Sequence, residues 1–257
     1  MNIKVLSFNV RTCDDPNGHA IKERGPRDIE ILREEDADIM GFQEYTPRMA
    51  AEIESSLTEK YEIFSKLRAE ESGADGESVP ILWKKDRFDC LDKGYFWFSD
   101  TPEKESKGWD EIYDCYRICM WAVLKDKQTD ISFIYINTHF GFGDKGQCDS
   151  VRLIKEYAHK IGNFPVIITG DFNMTPESVP YAEMVKYFDD VNPKTANYKG
   201  ITFHNYSALP TEKQAHIDYC FVNNKVSPIS YKVITKTFDG KFPSDHYPIA
   251  AEVKIEK

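Results

Sequence analysis

The sequence predicts a layered α/β protein in which two β-sheets pack face to face and helices cover the outer faces. Short runs rich in Val, Ile, Tyr and Phe recur along the chain, with the lengths and composition of strands. Helix-like stretches alternate with these runs early in the chain, and strand-like runs dominate later. No linker is long or polar enough to separate two domains, so residues 1–257 are predicted to form a single domain.

The strand predictions rest on β-branched and aromatic residues in short runs bounded by turn-forming residues. These runs lie at residues 3–10, 37–44, 79–85, 88–99, 119–126, 131–140, 165–172, 216–224, 226–235 and 247–255. Helices are predicted where apolar residues recur at helical spacing, as Met49, Ile53 and Leu57 do. Four such stretches lie at residues 24–37, 46–60, 148–163 and 178–188. The polar segments 69–79 and 99–114 are predicted to be exposed loops.

Composition and charge exclude several classes of function. A formal net charge of −10 argues against a protein that coats duplex DNA through a broad basic face. Phosphate substrates stay open, because a bound divalent cation can supply positive charge locally. No apolar run approaches the roughly 18 residues of a membrane span, and the first residues lack the layout of a signal peptide. The six cysteines are interpreted as free thiols of a cytoplasmic protein. We also expect a monomer without a membrane partner.

Residues 166–176 read VIITGDFNMTP, an apolar run that ends in Asp171 and Asn173. Side chains alternate faces along a strand, so Asp171 and Asn173 are predicted to point the same way and Phe172 the opposite way. Taken alone, the stretch also fits a turn, because Gly, Asp, Asn and the following Pro176 all favour turns. The ends of the other strands decide between the two interpretations.

Polar side chains stand at the ends of five further apolar runs. They are Asn9, Glu44, Asn137, His139, Asp218, Asp245 and His246. A single residue of this kind is ordinarily a cap or a turn former. Six strand ends that each supply an acid, an amide or an imidazole indicate a functional site, because ligands and catalytic groups gather where a rigid sheet borders an open cleft.

The oxygen-bearing members of this set suit a hard metal ion. Glu44, Asp171 and Asp245 offer carboxylates, and Asn9 and Asn173 offer neutral oxygens. These donors favour Mg²⁺, with Mn²⁺ or Ca²⁺ as further possibilities. Zinc would require more imidazole or thiolate, and no cysteine belongs to the set.

The histidines of the set suit acid–base chemistry on a phosphate. His139 and His246 are available for proton transfer or charge stabilisation, and Asp218 can orient one of them through a ring N–H. Together with carboxylates and a hard metal, they fit hydrolysis of a phosphate ester better than acyl transfer. Acyl transfer would require a nucleophile beside a base, and no GxSxG motif is present.

The blocks SFNV, GFQE, NTHF, GDFN, HIDY and SDHYP follow one another from residue 7 to residue 248. In these blocks and their order, the sequence resembles the endonuclease/exonuclease/phosphatase superfamily. GDFN followed far downstream by SDH is the specific part of the match. The resemblance implies a DNase I-like, four-layer α/β/β/α sandwich with two packed mixed β-sheets flanked by helices.

The resemblance also implies the roles of the residues that hold a metal and activate water. Glu44 would be the main metal ligand, with Asn9 and Asp245 beside it. Asp171 would orient or deprotonate the attacking water. Whether Asp171 or His246 is the working base stays open, because accounts of the superfamily differ on this point.

Further roles concern the phosphate itself. By the same resemblance, His139, His246 and Asn173 would contact the phosphoryl oxygens, and Asp218 would be hydrogen-bonded to His246. These groups are aimed where negative charge develops during in-line attack. The resemblance therefore implies a complete catalytic set.

Five other residues bear on the substrate. The stretch RICMWAVL, in which Arg117 precedes an apolar strand, resembles the deadenylase-like and uncharacterised bacterial branch of the superfamily. Arg117 is therefore predicted to bind phosphate, and a surface cation is the alternative. His204 is either a substrate contact or a structural histidine. Trp109, in a polar loop, can stack a base or a sugar, although aromatic residues mostly serve cores. Asp144 and Arg152 stand near places where related sequences carry an acid and an arginine, with helix packing as the alternative for Arg152.

The sequence therefore predicts a divalent-metal-dependent hydrolase of phosphate esters. A phosphodiesterase or nuclease-like enzyme acting on single-stranded nucleic acid or another small substrate comes first. A phosphomonoesterase acting on a small phosphorylated metabolite, such as a sugar or inositol phosphate, is the alternative. A catalytically inactive binding module is the alternative from another class. A lipid phosphodiesterase is disfavoured, because neither an exposed apolar hairpin nor a secretion signal is apparent.

Overall fold

The computed structural model describes residues 1–73, 75–195 and 200–256. Within these residues the strands are β1 (Asn2–Asn9), β2 (Ile39–Gln43), β3 (Tyr61–Phe64), β4 (Leu67–Ala69), β5 (Asp75–Ser78), β6 (Ile81–Lys84), β7 (Phe88–Trp97), β8 (Ile118–Asp126), β9 (Ser132–His139), β10 (Val166–Asp171), β11 (Asp189–Asp190), β12 (Asp218–Val222), β13 (Val226–Val233) and β14 (Ile249–Ile255). The α-helices are α1 (Ile21–Glu35), α2 (Pro47–Ile53), α3 (Asp144–Ile161), α4 (Val179–Met184) and α5 (Val191–Thr195).

Twelve of the described strands form two six-stranded sheets. The first has the order β13-β14-β1-β2-β6-β3, and the second has the order β11-β12-β10-β9-β8-β7. Each sheet contains one parallel pair, β1 with β2 and β9 with β10, while its other pairs are antiparallel. The predicted pair of mixed sheets is therefore confirmed.

Side-chain alternation along the central strands divides the apolar residues among separate layers. In β1, Ile3 and Val5 face the space between the sheets, whereas Leu6 and Phe8 face the layer that α1 and α2 cover. On the outer side of the second sheet, Ile154 of α3 and other apolar residues form a third layer. Three apolar layers between two sheets and two sets of helices make the predicted four-layer α/β/β/α sandwich, which is confirmed.

The helices differ from the prediction mainly at their ends. Helix α2 begins where the Thr46 side chain accepts a hydrogen bond from the Met49 N–H at 3.3 Å, and it ends at Ile53 rather than at residue 60. Helix α3 begins one turn earlier than predicted, at Asp144. Within the described residues, no helix is both long and apolar enough to cross a membrane.

Part of segment 69–79, predicted as an exposed loop, belongs to a hairpin made by β4 and β5. The loop prediction is wrong for this part, and Ala74 lies outside the described residues. The polar composition of the segment did not indicate strands, because the hairpin is held by backbone hydrogen bonds to a distant part of the chain rather than by apolar residues of its own. The Ser78 N–H donates to the Tyr45 carbonyl at 2.7 Å, and the Tyr45 N–H donates to the Ser78 carbonyl at 3.2 Å. The hairpin is thereby held at the end of β2.

Asn137 joins the two sheets from the middle of their interface. Its side chain is fully buried, and its Nδ2 donates to the Phe42 carbonyl at 2.8 Å. Its Oδ1 accepts from Gln43 Nε2 at 2.8 Å. Gly41 leaves the room, since a Cβ there would lie 2.4 Å from Asn137 Oδ1. Asn137, which the sequence placed among the strand-end residues, therefore holds the sheets together rather than facing a cleft.

Replacing Asn137 with alanine should lower the free energy of unfolding by about 3 kcal/mol, because several buried groups lose their partner at once. Urea denaturation of the purified protein measures this change. The matched control is the same substitution at the exposed Asn2, which should change stability by less than about 0.5 kcal/mol. Equal effects of the two substitutions would contradict the structural role of Asn137.

A second buried polar group, Asp190 at the edge of the second sheet, should make stability depend on pH. Burial raises the pKa of its carboxyl to about 6, although the Asn192 N–H and the Tyr181 hydroxyl donate to it at 2.9 and 3.0 Å. An aspartate in the unfolded chain has a pKa of about 3.9. The folded state therefore binds the proton more tightly, and stability falls as the pH rises from about 4 to about 6.

Replacing Asp190 with asparagine should remove this dependence. We expect the variant to be more stable than the wild type by about 2 kcal/mol at pH 8 and to match it at pH 4. Urea denaturation at both pH values provides the measurement, and Asp86→Asn at an exposed position is the control. A variant less stable than the wild type at pH 8 would show that the charged form of Asp190 is favoured in the fold.

Candidate active site

Three of the predicted site residues lie side by side across the second sheet. In the strand register, Asp171 at the end of β10 pairs with His139 at the end of β9 and with Asp218 at the start of β12. Alternation places all three on the inner face, because Ile167 and Cys220 on the same strands belong to the core between the sheets. The sheet therefore presents an imidazole and two carboxylates along one edge of the interface.

The first sheet brings an amide and a carboxylate to the same place. Asn9, at the end of β1, donates from Nδ2 to Asp171 Oδ2 at 3.0 Å and to Glu44 Oε1 at 3.1 Å. Gln43 of β2 faces the interface, so alternation alone would point Glu44 outward. Glu44 has φ +55°, a left-handed conformation that costs a non-glycine residue roughly 1–2 kcal/mol. This turn redirects its carboxylate toward the cleft.

The loop before β14 supplies Asp245 and His246. Ser244 holds the loop in place, because its buried hydroxyl donates to the Asn9 carbonyl at 2.6 Å and accepts from the His246 N–H at 3.3 Å. His246 Nδ1 lies 2.9 Å from Asp218 Oδ2. The predicted pairing of His246 with Asp218 is thus present, and Ser244 positions both residues of the loop without having been predicted from the sequence.

One carboxylate oxygen lies at the centre of this arrangement. Asp171 Oδ2 is 3.5 Å from His139 Nε2 and 3.7 Å from His246 Nε2. Burial raises the pKa of Asp171, and the negative charge of Asp218 raises it further. A carboxylate in these surroundings can take up a proton in the neutral pH range, as a general base must.

The two histidines differ in charge. Burial alone would lower the pKa of His246, but the carboxylates of Asp218 and Asp171 raise it above its ordinary value. Burial lowers the pKa of His139 well below its ordinary value, and the positive charges of Arg117 and Arg68 lower it further. The cluster therefore combines a cationic imidazole with a neutral one.

Glu44 and Asp245 form a site that fits a cation. Burial raises the pKa of Asp245, and the nearby negative charge of Glu44 adds to this effect. The guanidinium of Arg11 lies between them, with Nε 3.5 Å from Asp245 Oδ2 and Nη1 3.8 Å from Glu44 Oε2. The two carboxylates are hard oxygen donors, and so is Asn9 Oδ1, which here accepts the Arg11 N–H at 3.0 Å. The residues present therefore fit Mg²⁺ or a similar ion.

A second group also has metal-ligand spacing. Among the described residues, Asp171, Asp218 and His246 are the one set of three whose ligand atoms all lie within 4.8 Å of one another. This set, however, includes the imidazole of His246, whose Nδ1 is bonded to Asp218, whereas Glu44 and Asp245 offer only oxygen donors. We therefore interpret this set as a proton-transfer cluster and the pair Glu44 and Asp245 as the cation site.

A cleft of about 770 Å³ opens above these residues. The predicted residues that line it are Glu44, Arg117, His139, Asp171, Asn173, Asp245 and His246. Asn9 and Asp218 lie directly behind them as hydrogen-bond partners. A second cavity, of about 970 Å³, contains none of the predicted site residues.

Asn173 reaches the cleft by a different route from the one predicted. Strand β10 ends at Asp171, and Phe172 is buried in the outer core of the second sheet. Asn173 then has φ +48°, and its N–H donates to Asp171 Oδ1 at 3.0 Å. The turn therefore begins directly after Asp171, and this turn, rather than strand alternation, places Asn173 in the cleft.

Arg117 is a buried residue of the cleft, so the surface alternative is wrong. Its side chain is only 7% exposed, and its Nε lies 3.0 Å from Asp110 Oδ2. Arg68, on β4, lies in the same cleft and is paired with Glu77 at 3.0 Å. Arg11, Arg68, Glu77 and Asp110 were not predicted from the sequence. The placement of Arg11 directly after the SFNV block was the one available signal.

The side chains of the remaining candidates do not line the cleft. His204 is fully buried, packs against Phe242 and accepts the Ser207 N–H, so it is structural. Trp109 packs against the core of the second sheet. Asp144 is exposed in the first turn of α3. Arg152 pairs with Glu183 on α4, which agrees with the helix-packing alternative.

Comparisons with known proteins agree with this geometry. A sequence model of the Endonuclease/Exonuclease/phosphatase family matches residues 6–246. A protein of this family from Bacteroides thetaiotaomicron is 30% identical, with a TM-score of 0.91 over 100% of this chain and 99% of its own. One from Bacteroides vulgatus is 29% identical, with a TM-score of 0.90 over 100% of both chains. A Bacteroides thetaiotaomicron mannosyl-6-phosphatase is 30% identical, with a TM-score of 0.89 over 98% of this chain and 100% of its own.

Proposed function

Because the chain belongs to the endonuclease/exonuclease/phosphatase family, we propose that it hydrolyses phosphate esters by in-line attack of water with a divalent cation as cofactor. The observation that carries the proposal is the position of Asp171 Oδ2. It accepts a hydrogen bond from Asn9 and lies 3.7 Å from His246 Nε2, beside the Glu44 and Asp245 pair. An inactive binding module would have no need for a buried set of mutually perturbed acids and imidazoles.

Asn9, Glu44 and Asp245 would hold the cation, with Mg²⁺ the first choice and Mn²⁺ or Ca²⁺ possible. When bound, such an ion neutralises negative charge on the phosphoryl group and on the leaving oxygen. Arg11 already supplies positive charge between Glu44 and Asp245.

The other residues of the cluster would act on water and phosphate directly. Asp171, whose pKa is raised, would accept the proton of the attacking water. His246, held in its charged form by Asp218, would donate to a phosphoryl oxygen. His139, kept neutral, and the Asn173 side chain would complete the contacts to the phosphoryl oxygens. The choice of Asp171 over His246 as the base follows from these opposite charge states.

Among phosphate esters, we place monoesters first, although the sequence alone favoured diesters. A monoester carries nearly two negative charges at neutral pH, because its second pKa is about 6, whereas a diester carries one. Arg117 and Arg68 both lie in the cleft and both act electrostatically on His139. Asp110 and Glu77 each pair with one of these guanidiniums, and the planar N–H groups of two arginines suit the several oxygens of a phosphate dianion. The similarity to a mannosyl-6-phosphatase supports the same choice.

The choice between ester classes is tested with p-nitrophenyl phosphate and bis-p-nitrophenyl phosphate in the presence of Mg²⁺. We expect faster hydrolysis of the monoester. Arg117→Lys keeps the charge beside Asp110 but loses the planar fork, so it should lower kcat/KM for the monoester by about tenfold and for the diester by less. Arg152→Lys, in a surface ion pair, is the control. Cleavage of the diester alone would contradict the monoester assignment and favour nucleic acid or another diester.

A further inference from the structure

We propose that Tyr113 and Phe142 form an aromatic platform at the mouth of the cleft that binds the ring of a cyclic sugar attached to the phosphate. The platform is a specificity site for the leaving group. This inference rests on the proposed phosphate-ester hydrolysis, and it adds the chemical class of the alcohol that leaves.

The first observation is the exposure of the platform. Tyr113 is 64% exposed, as is its neighbour Ile112, and both Tyr113 and Phe142 line the cleft. Their rings meet edge to face with centroids 5.1 Å apart. Large apolar side chains held in water at the rim of a site indicate a surface that a ligand covers.

The second observation is the position of the platform beside the phosphate clamp. The guanidinium of Arg117 lies 5.9 Å from the centre of the Phe142 ring. Asp110 contacts both the phosphate clamp and the platform, because its Oδ2 pairs with Arg117 at 3.0 Å and its Oδ1 accepts the Tyr113 N–H at 3.0 Å. A ligand with a phosphate on Arg117 would therefore extend its alcohol group over the aromatic rings.

The third observation is that the loop carrying Tyr113 is fixed against the start of α3. Glu111 donates from its N–H to the Phe142 carbonyl at 2.8 Å and accepts the Gly146 N–H at 2.7 Å. Glycines permit the close approach, since a Cβ on Gly141 would lie 2.8 Å from the Asp110 Cα. Because these hydrogen bonds and the packing of buried Asp110 against Gly141 hold the loop, its exposed aromatic ring is a prepared surface rather than a loose loop tip.

The polar groups of the same cleft favour a sugar over a nucleobase. Glu77, Arg68 and Asn205 line it together with Tyr113. A pyranose offers an apolar C–H face to an aromatic ring, and its hydroxyls suit carboxylate, guanidinium and amide partners. The net charge of −10 disfavours a polyanionic nucleic acid. A single sugar ring with one phosphate agrees with both features.

The test compares mannose 6-phosphate, which has a ring, with glycerol 3-phosphate, which is acyclic. Kinetics are measured on the wild type with Mg²⁺. Binding of both esters is measured by calorimetry on Asp171→Asn, so that affinity is read without turnover. We expect Tyr113→Ala to raise the KM for mannose 6-phosphate and to weaken its binding, each about tenfold. The same two quantities should change less than about twofold for glycerol 3-phosphate. Tyr113→Phe should restore most of the affinity, and Tyr187→Ala, outside the cleft, should change neither ester.

The outcomes separate this inference from the proposed function. Equal losses on both esters in Tyr113→Ala, or no loss on either, would overturn the platform. Tyr113-dependent binding of adenosine 5′-monophosphate in preference to mannose 6-phosphate would overturn the assignment to a sugar. If the wild type bound mannose 6-phosphate through Tyr113 but released no phosphate from any ester, the platform would stand as a binding site and the hydrolytic function would fail.

Discussion

Replacing Asp171 with asparagine should lower kcat for phosphate-ester hydrolysis by about 10²–10⁴-fold, because the amide cannot accept a proton from water. The substitution keeps the shape of the side chain and the hydrogen bond from the Asn173 N–H, but its amide nitrogen cannot accept from Asn9 Nδ2 as Asp171 Oδ2 does. Initial rates on p-nitrophenyl phosphate under saturating conditions measure the effect. His246→Ala should cause a loss of similar size, because the cationic donor held by Asp218 is removed.

The same Asp171 variant should not lose stability. Burial raises the pKa of this carboxyl, so the folded protein already disfavours the charged form, and a neutral amide removes that cost. We expect a urea midpoint at pH 8 close to that of the wild type, because the removal of this cost offsets the loss of the hydrogen bond from Asn9. Asp86→Asn, exposed and outside the cleft, is the control for both activity and stability. An Asp171→Asn protein that is folded and fully active would show that another group activates the water.

Replacing Glu44 with glutamine should abolish the stabilisation that Mg²⁺ gives to the fold. The wild type should gain about 2–3 kcal/mol at a concentration near 100 times the dissociation constant. The variant should gain little, because Glu44 and Asp245 no longer form a pair of negative charges. Thermal denaturation with increasing Mg²⁺, compared with EDTA, measures the shift, and Glu62→Gln at an exposed position is the control.

The same titration distinguishes the two candidate cation sites. Loss of the Mg²⁺ shift in Asp218→Asn but not in Glu44→Gln would place the ion at the Asp171, Asp218 and His246 group. The opposite result supports the Glu44 and Asp245 pair. In the first case Asp171 would be a ligand, and the proton would have to pass to another base.

Side-chain alternation along strands predicted one part of the site from the sequence, namely the residues on the inner faces of the strands. Asn9, His139 and Asp171 each stand four positions after a residue of the core between the sheets. Those core residues are Val5, Tyr135 and Ile167, so alternation carries the polar side chains to the same interface. The apolar composition of the strands then predicts the layers as well. For these residues a one-dimensional pattern contains the needed information.

Residues that depend on left-handed backbone or on loop docking could not be predicted in this way. Glu44 and Asn173 reach the cleft through φ values of +55° and +48°, against or beyond the alternation of their strands. Asp110 and Arg68 are brought in by a long loop and by a polar hairpin whose stability comes from tertiary contacts. Local propensity does not encode such contacts, because they depend on distant partners.

The most direct test of the proposed function is the release of inorganic phosphate from p-nitrophenyl phosphate by protein first treated with EDTA and then supplied with Mg²⁺. We expect hydrolysis by the wild type to stop in EDTA and to return with Mg²⁺, and Glu44→Gln to stay inactive in both conditions. Undiminished hydrolysis in EDTA, or full recovery of Glu44→Gln, would contradict a cation-dependent reaction at this site.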